Sequence, residues 1–392
     1  MSAKHNNGGV REYDAHSLYG LMESIETNKA VTKATGKRPF VLSRSTFPGS
    51  GVHTAHWTGD NAATWEDLSA SIVTMNTLSL FGISMTGADI CGFIGDTTEE
   101  LCARWIEVGA FSPFSRDHNS VDQAPQELYR WESVTDASIK SLTMRYKLLP
   151  HLYTLMYQSS AVGLTVMNGL WMHFSSDLDA IATDAQYMWG DSLLFTPVLT
   201  EGATDVVGYF PQGVWYDLMG TGGVIEGPSS VTISTPLTET NIHVRGGSVI
   251  PMQEYKLNTL DASTTPYTLI IALDEHGSSS GSLYIDNGDG IVNEDTRLMD
   301  DYTLINYTYE NNQFTSEVIF NQYQDSISIP IQVIEVWGLG VEFNSCVATV
   351  KGKQNQPTDY NMDMYSANKA SMQVTDMLIM SDFEMSIECS KE

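Results

Sequence analysis

The segment from His56 to Trp65 reads HWTGDNAATW and holds a single carboxylate, Asp60, directly after Gly59 and close behind Trp57. Glycine lets the backbone turn sharply there, and a flat apolar ring beside a carboxyl group shields it from water. A shielded carboxyl keeps its proton, which is what a general acid needs. A second reading is open: NAATWEDL reads as a first helical turn, which Asp60 would cap. Other chemically able side chains stand where apolar runs turn polar. Arg44 follows FVLS, Asp89 closes LFGISMTGADI, and Arg116 and His118 end GAFSPFSRDHN.

The elements that would carry these residues alternate. Leu18, Met22 and Ile25 have helical spacing within 14–35 and stop at Gly36; Leu68, Ile72 and Met75 share one face of a helix near 64–77. The loop CGFIGDTTEE leads into a third helix, where Thr97 and Glu100 have capping-box spacing. A long helical pattern then runs from Ser133 to about Ala161, with Leu142, Tyr146, Leu149, Leu152 and Met156 on one face and a kink expected at Pro150. Short apolar runs between helices predict βα units on a parallel sheet buried on both faces. In every unit the reactive residue types fall after the strand, where a β/α barrel places its active site.

Beyond about residue 165 helical periodicity fades into short strands broken by Gly, Pro and Asn, and two β-sandwich domains are expected with a join near 252–265. DNGDGIVNED has the acid and glycine content of a calcium loop but not its spacing, and reads as a solvated turn. No apolar run is long enough to span a bilayer, and MSAKHNNGGVREYDAHSLYG lacks the apolar core of a signal peptide. With 20 basic against 48 acidic residues the net charge is −28, which argues against nucleic acid and would scarcely affect a neutral substrate such as a sugar. Cys91, Cys102, Cys346 and Cys389 form no CxxC; Cys91 and Cys102 could close a small disulfide loop or be buried thiols. Asn306 heads the glycosylation triplet NYT, a pattern that also arises by chance.

SRSTFPGSG at 43–51, HWTGDNAATW at 56–65, GADICGF at 87–93, SRDHN at 115–119, TMRYKLLPHLYTL and HVRGGSVIPMQ at 243–253 occur in collinear order. Together they closely resemble the family 31 glycoside hydrolases, their α-glucosidases in particular. The resemblance implies an α/β fold, the C-terminal half of a (β/α)8 TIM barrel over 1–165, followed by a proximal β-sandwich at 166–255 and a distal one at 256–392. It implies retaining hydrolysis of terminal non-reducing α-linked glucose, mainly α-1,4, from maltose-type oligosaccharides, glycogen or starch, without a metal or cofactor. Asp60 matches the general acid/base. Arg44, Trp57, Asp89 and His118 match residues lining the pocket for the terminal glucose, Phe93 its rim, and Arg116 a supporting position. Cys91 and Cys102 match a family disulfide. Charged and imidazole groups suit sugar hydroxyls, while Trp and Phe suit ring faces.

Two departures accompany the matches. The family's nucleophile is the Asp of a WxDMNE-type motif, which occurs nowhere in these 392 residues, and DAHSLYG lies after that motif in the family. The chain is therefore expected to be a C-terminal portion, inactive without a missing N-terminal half, with open sheet edges where its barrel is interrupted. Asn168 and Gly169 replace an Arg–Pro pair, which touches packing at the barrel-to-sandwich junction. A noncatalytic carbohydrate-binding protein and an α-xylosidase or glycoprotein-processing glucosidase are the other readings. Acidic character and paired cysteines fit a lysosomal, vacuolar or secreted setting.

Overall fold

A computed structural model describes residues 3–390 except 6–7, 221–222, 294–298, 340–344, 353–357, 367–368 and 376. The first part alternates helices and very short strands in this order: α1 (Tyr19–Thr35), β1 (Leu42–Ser43), β2 (Ala55–Trp57), α2 (Trp65–Leu80), β3 (Thr86–Gly87), β4 (Asp89–Ile90), α3 (Glu99–Gly109), β5 (Arg116–Asp117), α4 (Glu132–Lys147) and α5 (Leu149–Val162). β1, β2 and β3 pair in parallel in that order, and β4 pairs in parallel with β5. α1 ends where Gly36 adopts a left-handed conformation, as its sequence predicts. Leu68, Ile72 and Met75 are fully buried on α2, so the predicted face does face the core.

Two helix boundaries differ from expectation. Thr98, not Thr97, caps α3, its hydroxyl accepting from the Leu101 N–H; the spacing to Glu100 misleads because Glu100 instead accepts from the backbone N–H of Gly202. The long pattern at 133–161 is two helices rather than one kinked helix. α4 stops before Leu148, and Pro150 sits in the first turn of α5, where its missing N–H costs nothing.

The second part begins with β6 (Met167–Asn168), β7 (Tyr187–Trp189), β8 (Leu193–Phe195), β9 (Asp205–Asp217), β10 (Val224–Ser234) and β11 (Ile242–Arg245). Among the described residues these form one antiparallel six-stranded sheet, ordered β10-β9-β11-β8-β7-β6, rather than a sandwich by themselves. The sheet needs no second sheet because other elements cover both faces. Tyr187, Trp189, Leu193 and Phe195 join a core shared with the helices, while the alternate residues Met188 and Leu194 meet Leu170, Phe174, Phe210 and Trp215. α3 is buried on nearly its whole circumference between these layers. Its Arg104 donates to the carbonyls of Ala203, Thr235 and Pro236 and to Glu107, whose carboxyl burial pushes up to about 8.

The remaining strands are β12 (Ser248–Gln253), β13 (Tyr267–Ala272), β14 (Ser279–Ile285), β15 (Thr303–Glu310), β16 (Gln313–Asn321), β17 (Ile331–Trp337), β18 (Ser345–Gly352), β19 (Thr358–Ser366), β20 (Lys369–Gln373) and β21 (Phe383–Ser390). They close into one barrel, β12-β13-β17-β20-β19-β18-β21-β16-β15-β14, instead of two facing sheets. Closure comes from β12 meeting β14 at Ser248 and Ser280. β12 pairs with β13 along its length, so the change of sheet falls at the turn Gly246–Gly247, ahead of the expected join. Gly247 takes φ +96 there, which only glycine adopts freely. The apolar run at 326–343 becomes β17, with 340–343 outside the described residues.

The DNGDG loop is a latch, not a solvated turn. The Asp286 carboxylate is buried and accepts from Arg38 at 2.8 Å, Tyr153 at 2.7 Å, Tyr284 at 2.8 Å and the Gly288 N–H at 2.7 Å. The sequence could not show this, because Arg38 and Tyr153 arrive from the helical part of the chain. Glu294 and Asp295 of the same stretch lie outside the described residues.

Candidate active site

The chain places Arg44 just after β1, Trp57 at the end of β2, Asp89 at the start of β4 and Arg116 at the start of β5. Arg44 and Trp57 thus stand at strand ends, as expected, whereas Asp89 and Arg116 open their strands, because each of these two-residue strands starts at the polar residue itself. Asp89 and Arg116 are register partners in the β4–β5 ladder, and the Arg116 guanidinium donates twice to Asp89 Oδ1, at 3.1 and 2.5 Å. Asp89 is thus paired with Arg116, while Arg44 faces Asp60. Asp89 is 1% exposed, and its Oδ2 is buried without a hydrogen-bond partner. Burial raises this carboxyl above its ordinary range while Arg116 and then His118 pull it down; Asp60, from the next loop, raises it further.

Asp60 itself is not the cap of α2. That role belongs to Thr64, whose hydroxyl accepts from the Asp67 N–H, while Asp67 accepts from the Ala62 N–H. The helix-cap reading of Asp60 is thus spoken for by another residue. Nor is Asp60 shielded from water as expected. The Asp60 side chain is 46% exposed and faces Arg44 at 3.7 Å, while the Trp57 ring lies 5.4 Å below the Arg116 guanidinium. Gly59, at φ +80, makes the turn before Asp60, and a Cβ there would stand 2.7 Å from Arg44 Nε. His118, just past β5, stacks on Phe93 with ring centroids 5.3 Å apart. Asp60, Arg44, Trp57, Asp89, Arg116, His118 and Phe93 thus form one linked group, open to solvent at Asp60 and His118.

Three supporting residues escaped sequence reasoning. Asn61 bridges the two loops, its amide donating to the Asp89 carbonyl at 2.9 Å and accepting from the Asp89 N–H at 3.1 Å. The Asn61 carbonyl also accepts from the N–H groups of Phe93 and Ile94. Gln126, buried, donates to the carbonyls of Ile90 and Gly92 and to Asp117. Asp117, beside Arg116, is raised to about 6 by burial. The adjacency of Asn61 to Asp60 was a usable signal, since a side-chain amide alone can serve both a backbone donor and an acceptor. Gln126 sits in a loop without periodicity and offered none. Cys91 and Cys102 form a disulfide tying the end of β4 to α3, and Cys346 and Cys389 form a second between register partners on β18 and β21.

Residues 1–155 match the glycosyl hydrolases family 31 TIM-barrel domain and residues 163–250 the glycosyl hydrolase family 31 C-terminal domain, together more than half of the chain. The chain belongs to glycosyl hydrolase family 31. The family 31 chain is 43% identical to an alpha-glucosidase of Hordeum vulgare over 339 residues, 84% of this chain and 38% of that protein. It is 47% identical to Alpha-xylosidase 1 of Arabidopsis thaliana over 290 residues, 73% of this chain and 32% of that protein. It thus spans about a third of the length of these curated relatives. The crystal structure of glucosidase II alpha subunit bound to Glc1Man2 superposes with a TM-score of 0.90 at 26% identity, covering 98% of this chain and 44% of that one. Among the described residues no helix is long and apolar enough to cross a membrane.

Proposed function

We propose that this chain carries the general acid/base and much of the sugar pocket of a retaining α-glucosidase that releases terminal α-linked glucose from maltose-type oligosaccharides. The observation that carries the reading is the Asp60 carboxyl, 46% exposed and 3.7 Å from the exposed Arg44, with Asp89 fixed behind them by Arg116. Open charged groups held at a fixed base are suited to directional hydrogen bonds with sugar hydroxyls. Arg44, Trp57, His118 and Phe93 complete the pocket in this reading, and Arg116 acts through Asp89. Asp60, as the acid, gives its proton to the glycosidic oxygen as the bond to the anomeric carbon breaks. In the second step the Asp60 carboxylate takes a proton from water as it attacks the covalent intermediate.

The attacking carboxylate must stand roughly 5–5.5 Å from the acid in a retaining enzyme. We assign it to a part of the enzyme beyond these 392 residues, because the WxDMNE-type motif does not occur among them. Asp89 is held by Arg116 and Asp117 by Gln126, so both nearby carboxylates already have structural partners. The 392-residue chain alone then binds sugar without turning it over. The two disulfides support an oxidising setting, secreted, vacuolar or lysosomal.

The test is hydrolysis of a chromogenic α-glucoside by this chain with and without the complementary N-terminal portion, each beside Asp60→Asn. Activity should need both portions and vanish in the variant; activity that survives Asp60→Asn overturns the assignment. The identity to an alpha-xylosidase favours one alternative substrate, and a chromogenic α-xyloside in the same assay decides it. Sugar binding with no turnover on reconstitution would mean a noncatalytic carbohydrate-binding protein.

A further inference from the structure

The triplet Asn306-Tyr307-Thr308 is the only N-x-[ST] triplet in the sequence. It lies in the middle of β15, whose residues alternate between the barrel interior and the outside. Tyr307 points inward and is 1% exposed, while Asn306 and Thr308 are both exposed on the outer face. The amide and the hydroxyl of the triplet thus share one side. Their cross-strand neighbours on β14 are small, Ser282 opposite Asn306 and Ser280 opposite Thr308. Asn306 opens onto a cleft of about 710 Å³ between α5 and the closed barrel, walled by Gln158, Ser280, Ser282 and Thr308. The lining is mixed, polar at Gln158, Ser282 and Thr308 and apolar at Leu155 and Leu164, and the cross-strand neighbours of Asn306 are Ser282 on one side and Glu317 on the other.

We infer that Asn306 is an N-glycosylation site, with the first sugars of the glycan seated in this cleft. Two independent observations meet there. The triplet presents its Asn and Thr at the surface, and the paired cysteines fit the kind of oxidising compartment where lipid-linked oligosaccharide is transferred to protein. In the transfer the Asn306 side-chain nitrogen bonds to the anomeric carbon of a lipid pyrophosphate-linked oligosaccharide. The carbon–oxygen bond to pyrophosphate breaks, the lipid pyrophosphate leaves with the electron pair, and the nitrogen gives up one of its two protons. The site is separate from the Asp60 group, so neither its presence nor its absence bears on the hydrolase reading.

The experiment is peptide mass spectrometry of the protein isolated from its own host, with and without peptide N-glycosidase. The expected result is that the Asn306 peptide is found at its bare mass only after treatment, with Asn306 converted to Asp. Thr308→Ala and Asn306→Gln, both changes at exposed positions, should each abolish the modification while leaving the circular dichroism spectrum unchanged. An unmodified Asn306 peptide in untreated protein whose Cys91 and Cys102 are oxidised overturns the inference. So does finding those cysteines reduced, because the compartment would then be wrong.

Discussion

Asp89 and Asp117 lie on the paired strands β4 and β5, one register step apart, yet are stabilised differently. Asp89 has a guanidinium on one oxygen; Asp117 has only the Gln126 amide, and burial raises it to about 6. A carboxyl raised from 3.8 to about 6 holds its proton in the folded state where the unfolded chain has lost it. Its contribution to stability is therefore present below about pH 4 and is lost as pH rises toward 6. Asp117→Asn keeps the acceptor for Gln126 and removes the titration. The variant should match the parent in chemical denaturation near pH 4 and exceed it above pH 6. An unchanged difference across that range would show that Asp117 is solvated.

Among the elements, α3 illustrates how a local rule can choose the wrong residue. Thr98 accepts from the Leu101 N–H, whereas the Thr97 hydroxyl reaches only the Thr98 carbonyl, at 3.5 Å. Thr98→Ala should cost about 1 kcal/mol, the usual value of an N-cap, and Thr97→Ala almost nothing. Thermal unfolding of the two variants side by side checks this, and equal losses would return the cap to Thr97. The DNGDG loop makes the companion case. Burial works to raise the Asp286 carboxyl, and bonds from Tyr153 and Arg38 outweigh it, leaving it below its ordinary value. Asp286→Ala would strand the half-buried Arg38 and two tyrosine hydroxyls, at a cost of roughly 3–5 kcal/mol. Denaturant unfolding would register that loss; a loss under 1 kcal/mol would demote the latch to a surface contact.

At the scale of the molecule, helical part, six-stranded sheet and closed barrel share one apolar core, in which Ile250, Ile270 and Trp337 of the barrel join Trp105 and Leu155 of the helices. Imidazoles at these junctions are buried. His151, on α5, meets Ser192 at 3.1 Å and is lowered by burial to about 4, with Asp191 pulling it back up; His243 is also lowered by burial. The unfolded chain takes up protons near pH 6.5 that folded His151 refuses until about pH 4. Stability should therefore fall as pH drops through that window, by on the order of 3 kcal/mol for His151 alone. His151→Asn should flatten this acid slope in pH-dependent unfolding, and an unaltered slope would assign it elsewhere.

Much of this protein is determined by sequence alone. The helix of Leu68, Ile72 and Met75, the stop at Gly36 and the placing of Arg44 and Asp60 after their short strands all follow from periodicity and local backbone preference, which act over a few residues, whereas Asp89 and Arg116 open their strands rather than follow them. The family motifs around Asp60 and Asp89 add the candidate site, because Asn61, next to Asp60, is bonded to the Asp89 backbone. Tertiary structure alone decided what those side chains face. It set Arg116 rather than Arg44 on Asp89, left Asp60 half exposed, and brought Arg38 to Asp286 from the other end of the chain. It also closed the last ten strands into a barrel and covered the six-stranded sheet with helices. Such choices depend on pairings between residues distant in sequence, for which no local propensity carries information.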